Sequence, residues 1–183
     1  MNVAMSSTLV SSVVIRAEDL ADDKSFNDLC RRLYEPARLE MNKPGSEDFL
    51  TRLERVRTIP DNIITPWGGV DILVRNHHYV EKYLVIHAGT WLAFERHSEK
   101  DEHLVVEEGP VYVIDRAAGS SSIGCTLLEA GRSIRFKPGH EHAIIAPRYA
   151  LVREQGMDYL GMDQDLIFLR NPDVTSYLSR SLK

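Results

Sequence analysis

The stretch FERHSEKDEHLVVEEG, Phe94–Gly109, packs two histidines and six acidic residues into one short span, then turns apolar and ends in glycine. Glu95 and His97 are two apart, so on a strand their side chains share a face. Glu102 follows after a polar turn. A second stretch, AGRSIRFKPGHEHAII, supplies the complement: Gly131 opens a strand, KPG at Lys137–Gly139 makes a turn, and His142 begins the next strand. Two histidines and two carboxylates on neighbouring strands form a borderline-hard donor set, suited to one divalent Zn, Mn, Fe, Co or Ni ion. Glu95, His97, Glu102 and His142 are therefore the expected metal ligands, gathered in the mouth of a barrel.

Around these two stretches the texture is that of short strands. After Pro66 the chain runs in Val-, Ile- and Tyr-rich segments broken by glycine. Strands are expected at 70–74, 80–87, 91–96, 103–106, 111–115, 123–128, 133–136, 142–146 and 151–154, a spacing that argues for a sandwich or barrel. Nothing between them reads as a helical crossover, so a parallel α/β sheet is not expected. The part before Asp61 differs. Phe26, Leu29, Cys30 and Leu33 fall on one helical face, with Ser25 as the expected N-cap. Pro36 ends that helix, and KPG at Lys43–Gly45 makes a turn. Ser46 caps a second helix with Phe49, Leu53 and Val56 on its apolar face, and Pro60 stops it. The organisation is thus an N-terminal helical arm, 1–61, and an all-β unit, 62–183.

Composition narrows the class. The chain has 183 residues, 43% hydrophobic and 27% charged, with a formal net charge of -5. That balance gives no footing to nucleic acid or an anionic membrane surface. The two cysteines, Cys30 and Cys125, are far apart and form no C-x-x-C pair, which fits a reducing, cytoplasmic setting. No apolar run reaches the length of a membrane span. The start, MNVAMSSTLVSSVVI, lacks a basic leader region and reads as a loose terminus entering a short strand.

Gly89, Glu95, His97, Glu102 and Gly109, followed by Gly131, Pro138, Gly139 and His142, resemble the two motifs of the cupin superfamily. The resemblance implies a double-stranded β-helix, or jelly roll, around one metal. From Pro66 to Arg170 the chain is also similar to the cupin domain of type II mannose-6-phosphate isomerases. Pro66, Trp67, Gly68, Lys82, Gly89, His97, Glu102, His103 and Gly109 carry that likeness, with Glu154, Gln155, Gly156, Tyr159, Leu160, Gly161 and Asp163. Four positions depart from the pattern: Glu95 for Gln, Lys100 for Arg, Leu104 for Trp, and Phe168 where an arginine is expected, with Arg170 two further on.

The resemblance implies an aldose–ketose isomerase of a sugar or sugar phosphate. Such chemistry needs a Lewis acid at the oxygens and a base at the carbon. Glu95, Lys82 and His140 are the candidate catalytic groups. Lys82, Lys137, Arg148 and Arg170 are candidates for holding a phosphate, and Trp91 and Tyr112 for stacking on a sugar face. A metal-dependent cupin oxygenase of a small organic substrate and a non-catalytic sugar-binding cupin module are the alternatives. A homodimer is expected because symmetric dimers are the commonest oligomer. Other residues have plainer readings. His103 points away from Glu102, His77 and His78 sit in a solvated hairpin loop, and Trp67 and Cys30 pack. Glu99, Asp101, Glu107 and Glu108 form a solvated turn and rim.

Overall fold

The structure is a computed structural model that describes residues 14–36, 44–76, 78–161 and 163–171. The expected strand entered from the N-terminus, residue Lys43 of the KPG turn and His77 lie outside these residues. Two antiparallel sheets face each other. The first has the order β1 (Ile63–Thr65), β2 (Gly68–Arg75), β3 (Tyr79–Ile86), β11 (Ala150–Met157), β6 (Asp101–Glu108), β9 (Ser133–Phe136). The second runs β12 (Leu166–Arg170), β5 (Phe94–His97), β10 (Glu141–Ala146), β7 (Val111–Arg116), β8 (Gly124–Leu128), with β4 (Thr90–Trp91) also on β10. This is an all-β jelly roll. Its inner core is aliphatic, with Leu84, Val106, Val113, Ile144 and Val152 among its members.

The helical arm covers the outer faces. A 3-10 turn (Ala17–Leu20) leads to α1 (Asp23–Tyr34), whose Phe26, Leu29, Cys30 and Leu33 pack on Phe94, Ile114, Ala143 and Ile145 of the second sheet. Helix α2 (Glu47–Thr58) lays Phe49, Leu53 and Val56 on Val85 and Leu151 of the first. Strand β10 is consequently buried on both faces, which explains why HAIIA does not alternate. Ser46 caps α2 as expected, accepting from the Phe49 amide at 3.0 Å. Helix α1 starts earlier than expected: the cap is Asp22, which accepts from the amide of Ser25 at 2.7 Å. A carboxylate there also suits the positive end of the helix dipole.

Asp71 on β2 anchors α2. Its fully buried carboxylate accepts from Arg52 Nη1 at 2.9 Å, Arg55 Nε at 2.9 Å and Asn62 Nδ2 at 2.8 Å.

Three strand readings change. β1 and β12 were not expected, and the single run at 91–96 divides into β4 and β5. The division has a cause. Trp91 pairs with Ile145 and Glu95 with His142, so the β4–β5 side carries one residue more than β10 between the two registers. Such a bulge exchanges the faces on its two sides. Trp91 therefore points outward while Glu95 and His97 point into the barrel. Among the described residues no helix is long and apolar enough to cross a membrane.

Candidate metal centre

Strand parity places a polar layer above the aliphatic core. Lys82 on β3, Glu95 and His97 on β5, Glu102 on β6, His142 on β10 and Glu154 on β11 all line one inner cavity, joined by Asp163 from the connection between β11 and β12. The cavity volume is about 10 Å³, space for one ion or one water and far below what a sugar phosphate requires.

Each imidazole is held from behind. His97 Nδ1 lies 2.8 Å from Asp165 Oδ1, and that carboxylate also accepts the amides of Glu99 and Lys100 at 2.8 Å each. His142 Nδ1 is 3.4 Å from the carbonyl of His140, and Phe136 stacks on its ring with centroids 4.1 Å apart. Both Nδ1 atoms are thus engaged. This leaves Nε2 of His142 toward Glu102 at 3.0 Å and Nε2 of His97 toward Asp163 at 3.9 Å. A carboxylate behind an imidazole fixes its tautomer, the usual support of a metal-binding histidine. The KPG turn is set by Gly139, whose φ of 80° favours glycine. Its amide donates to the His97 carbonyl at 2.7 Å and ties the second stretch to the first.

Glu102 Oε2 is buried 3.0 Å from His142 Nε2, without a well-aligned hydrogen bond. A buried carboxylate oxygen so placed is costly unless a cation meets it. Five carboxyl groups (Glu95, Glu102, Glu154, Asp163 and Asp165) face two ammonium groups and two imidazoles, a layer rich in oxygen donors. Among the described residues no three His, Cys, Asp or Glu side chains already stand as a metal cage. Glu102 and His142 are instead closed on each other. The chemistry of the donors fits one divalent ion.

Burial pushes the Glu95 carboxyl up to about 7, against the pull of His142 and His97. Burial opposes the charge of His142, but Glu102 and Glu95 outweigh it and raise the imidazole. Asp165 is held down to about 2, because His97 and two amides outweigh its burial.

The expected substrate contacts do not converge on this cavity. Trp91 faces α1, stacking on Tyr34 and donating to Asn27 Oδ1 at 2.9 Å. It borders an open cleft of about 270 Å³ that shares only Ala93 with the inner cavity. Tyr112 is on the outer face of β7, packed beside α1, because its inward neighbours are Val111 and Val113. Arg148 is at the far end of the barrel, donating through Nε to the Gly109 carbonyl at 2.7 Å. Arg170 donates to the Leu20 carbonyl at 2.7 Å and tethers the arm. Lys137 is exposed on the turn before β10. His140 is on the rim, its Nε2 3.0 Å from Asp115 Oδ2. Only Lys82 of the proposed phosphate holders enters the cavity. Four residues had no role in the sequence reading and now have one. Lys100 enters as a fully buried ammonium bonded to Glu154 and to Asp163 Oδ1 at 2.7 Å. Glu154 and Asp163 are its partners, and Asp165 orients His97. One signal was available: Glu154 takes the inward parity of β11, the register of Val152.

No protein-family profile and no curated protein matches the sequence. Solved structures do. Oxalate decarboxylase from Bacillus subtilis superposes with a TM-score of 0.55 at 14% identity, over 61% of this chain and 30% of that one. Oxalate decarboxylase from Lactobacillus farciminis gives 0.51 at 15%, over 60% and 33%. The capsular polysaccharide assembling protein CapF from Staphylococcus aureus gives 0.52 at 15%, over 60% and 32%. The fold is that of the cupins. This chain spans about a third of the length of these cupin-fold structures. At such identities the likeness concerns the jelly roll, and the site rests on the geometry above.

Proposed function

We propose that this cupin is a metal-dependent isomerase of a sugar or sugar phosphate, with one divalent transition ion held by His97, Glu102 and His142 and only loosely by Glu95. The observation that carries the reading is the buried Glu102 carboxylate, which meets His142 Nε2 at 3.0 Å in a cavity shared with His97, while the Nδ1 atoms of both histidines are engaged from behind. The ion, when bound, supplies Lewis acidity to the substrate's carbonyl and hydroxyl oxygens. The chain's own residues do the rest. Asp165 and the His140 carbonyl fix the imidazoles, so that Nε2 is the presented atom on each. Glu95 carries the proton between C1 and C2 on a carboxylate oxygen inside the barrel, where bulk water is excluded. Lys82 stands opposite, as a fixed positive charge toward an anionic substrate.

The test is isomerisation of fructose 6-phosphate and mannose 6-phosphate by protein stripped of metal and reloaded in turn with Mn, Fe, Co, Ni and Zn. Turnover that appears with metal and is lost in His97→Ala is expected. No turnover with any ion removes this reaction, and oxygen uptake by the iron-loaded protein then separates an oxygenase from a non-catalytic module. The departures at Leu104 and Phe168 support the second reading, a sugar-binding cupin without turnover.

A further inference from the structure

We infer that the cleft beside Trp67 and Trp91 is a binding site for an uncharged sugar ring, separate from the metal centre. The inference does not rest on the reaction proposed above. The cleft has a volume of about 270 Å³, just under the range of pockets that take drug-sized ligands, so it has room for a single ring. It lies where the β1–β2 turn, β4 and the end of β12 come together, and it shares only Ala93 with the inner cavity. Among the described residues that line it, none is charged. Arg31 stands over the Trp91 ring at 5.9 Å, but it is paired with Asp28 at 2.9 Å. A phosphate or carboxylate entering this cleft would lose water and gain no counter-charge, whereas a neutral ligand escapes that cost.

Two groups of the lining lack a polar partner. Trp67 is 5% exposed. Its indole N–H makes no hydrogen bond among the described residues, yet it is not sealed from solvent. This donor, on a ring otherwise buried, is available to a molecule in the cleft that the ring lines. Asn171 has φ 52°, and its backbone amide donates to Asp23 Oδ1 at 2.8 Å. Its side-chain amide is unbonded among the described residues, which leaves two donors and an acceptor at the rim. Thr90 Oγ1 donates to the His87 carbonyl at 2.7 Å, so its lone pairs are left to accept. Neutral donors and acceptors set around an apolar wall match the hydroxyls of a sugar. The walls match its faces, because the C–H groups of a pyranose carry slight positive charge and meet the negative π-face of an indole. Both indoles are held in advance. Tyr34 stacks on Trp91 with centroids 5.9 Å apart and Nε1 donates to Asn27 Oδ1 at 2.9 Å, while Trp67 is packed into the core. Walls already ordered cost little entropy on binding.

The chain's only two tryptophans both line the cleft, so its intrinsic fluorescence reports the site. The experiment titrates full-length, metal-stripped protein with the methyl glycosides of glucose, mannose and galactose, with glycerol at equal mass as reference. A saturable change in emission is expected with at least one glycoside and none with glycerol. Mannose 6-phosphate is expected to bind more weakly than the methyl mannoside, and reloading the protein with metal is expected to change nothing. Trp67→Phe keeps the ring and deletes the donor, with Trp91 left to report. Asn171→Gly deletes the amide and suits a left-handed backbone. Each is expected to raise Kd about 3- to 10-fold. Asn171, outside the core at the end of β12, carries the test if Trp67→Phe does not fold. No saturable change with any glycoside, affinity unchanged in both variants, or binding that requires metal overturns the inference. Mannose 6-phosphate binding as tightly as the glycoside, or indole binding where no glycoside does, overturns the assignment to an uncharged sugar. No turnover enters this readout. Glycoside binding without isomerase activity removes the reaction and leaves the cleft, and the reverse removes only the cleft.

Discussion

His97 illustrates how one side chain is prepared by another. Asp165 Oδ1 sits 2.8 Å from His97 Nδ1, while its second oxygen accepts two amides of the turn that follows β5. The carboxylate therefore sets both the tautomer of the ring and the path of the chain toward Glu102. Asp165→Asn keeps the size and loses the charge. Metal affinity is expected to fall about 10- to 100-fold with little change in fold, as measured by competition with a chromophoric chelator alongside circular dichroism. Unchanged affinity in a folded variant sinks the claim that Asp165 positions the ligand. At this scale the sequence was legible where spacing and parity decide. Glu95, His97, Glu102 and His142 meet because strand register puts them on one inner face. Lys100 was not legible. It sits in a turn of charged residues that reads as solvated, and its bonded partner Asp163 is 63 positions downstream. Trp91 would share the face of Glu95 on an unbroken strand, but the extra residue between the two registers exchanges the faces.

Among the elements, α2 depends on one buried carboxylate. Burial opposes the charge on Asp71, but hydrogen bonds from Arg55, Arg52 and Asn62 outweigh it and hold the carboxyl below its ordinary value. A depressed folded-state value means stability that is present above the unfolded value and lost as pH falls through the folded one. Asp71→Asn is expected to cost about 2–4 kcal/mol near neutral pH, since it leaves two arginines without their shared partner. The gap between wild type and variant should hold down to about pH 4 and shrink below it. Urea denaturation across that range checks both the size and the sign, and a gap that widens on acidification contradicts the assignment. The helices themselves were readable because their apolar faces repeat at helical spacing, and all seven of those face residues are buried. The elements that were missed are the ones that lack a pattern. β1 is three residues long, and β12 is the run LIFLR, whose half-exposed register does not alternate.

For the whole molecule, the architecture is three-layered in effect: α1, the two sheets around the aliphatic core, and α2 on the opposite side. The helices and the strands could be told apart in the sequence because their periodicities differ. The way the arm embraces the barrel could not, because β10 shows both its faces as apolar and either could have been the inner one. The polar layer has a consequence at this scale. Five carboxyl groups against two ammonium groups and two imidazoles give the interior a donor set that attracts a cation. A divalent ion that binds the folded barrel and not the unfolded chain then adds stability by linkage, about 2.7 kcal/mol at a hundredfold excess over Kd. For a chain of 183 residues that corresponds to a rise in Tm of about 5–11 °C. The measurement is a thermal melt of protein treated exhaustively with chelator, then reloaded with Mn, Fe, Co, Ni or Zn. Wild type should gain stability with at least one ion, and Glu102→Gln should gain little, because its neutral amide no longer attracts the cation. Equal melting with and without every ion would mean that the closed pair of Glu102 and His142 is the resting chemistry of the barrel, and that the two lysines alone balance its charge.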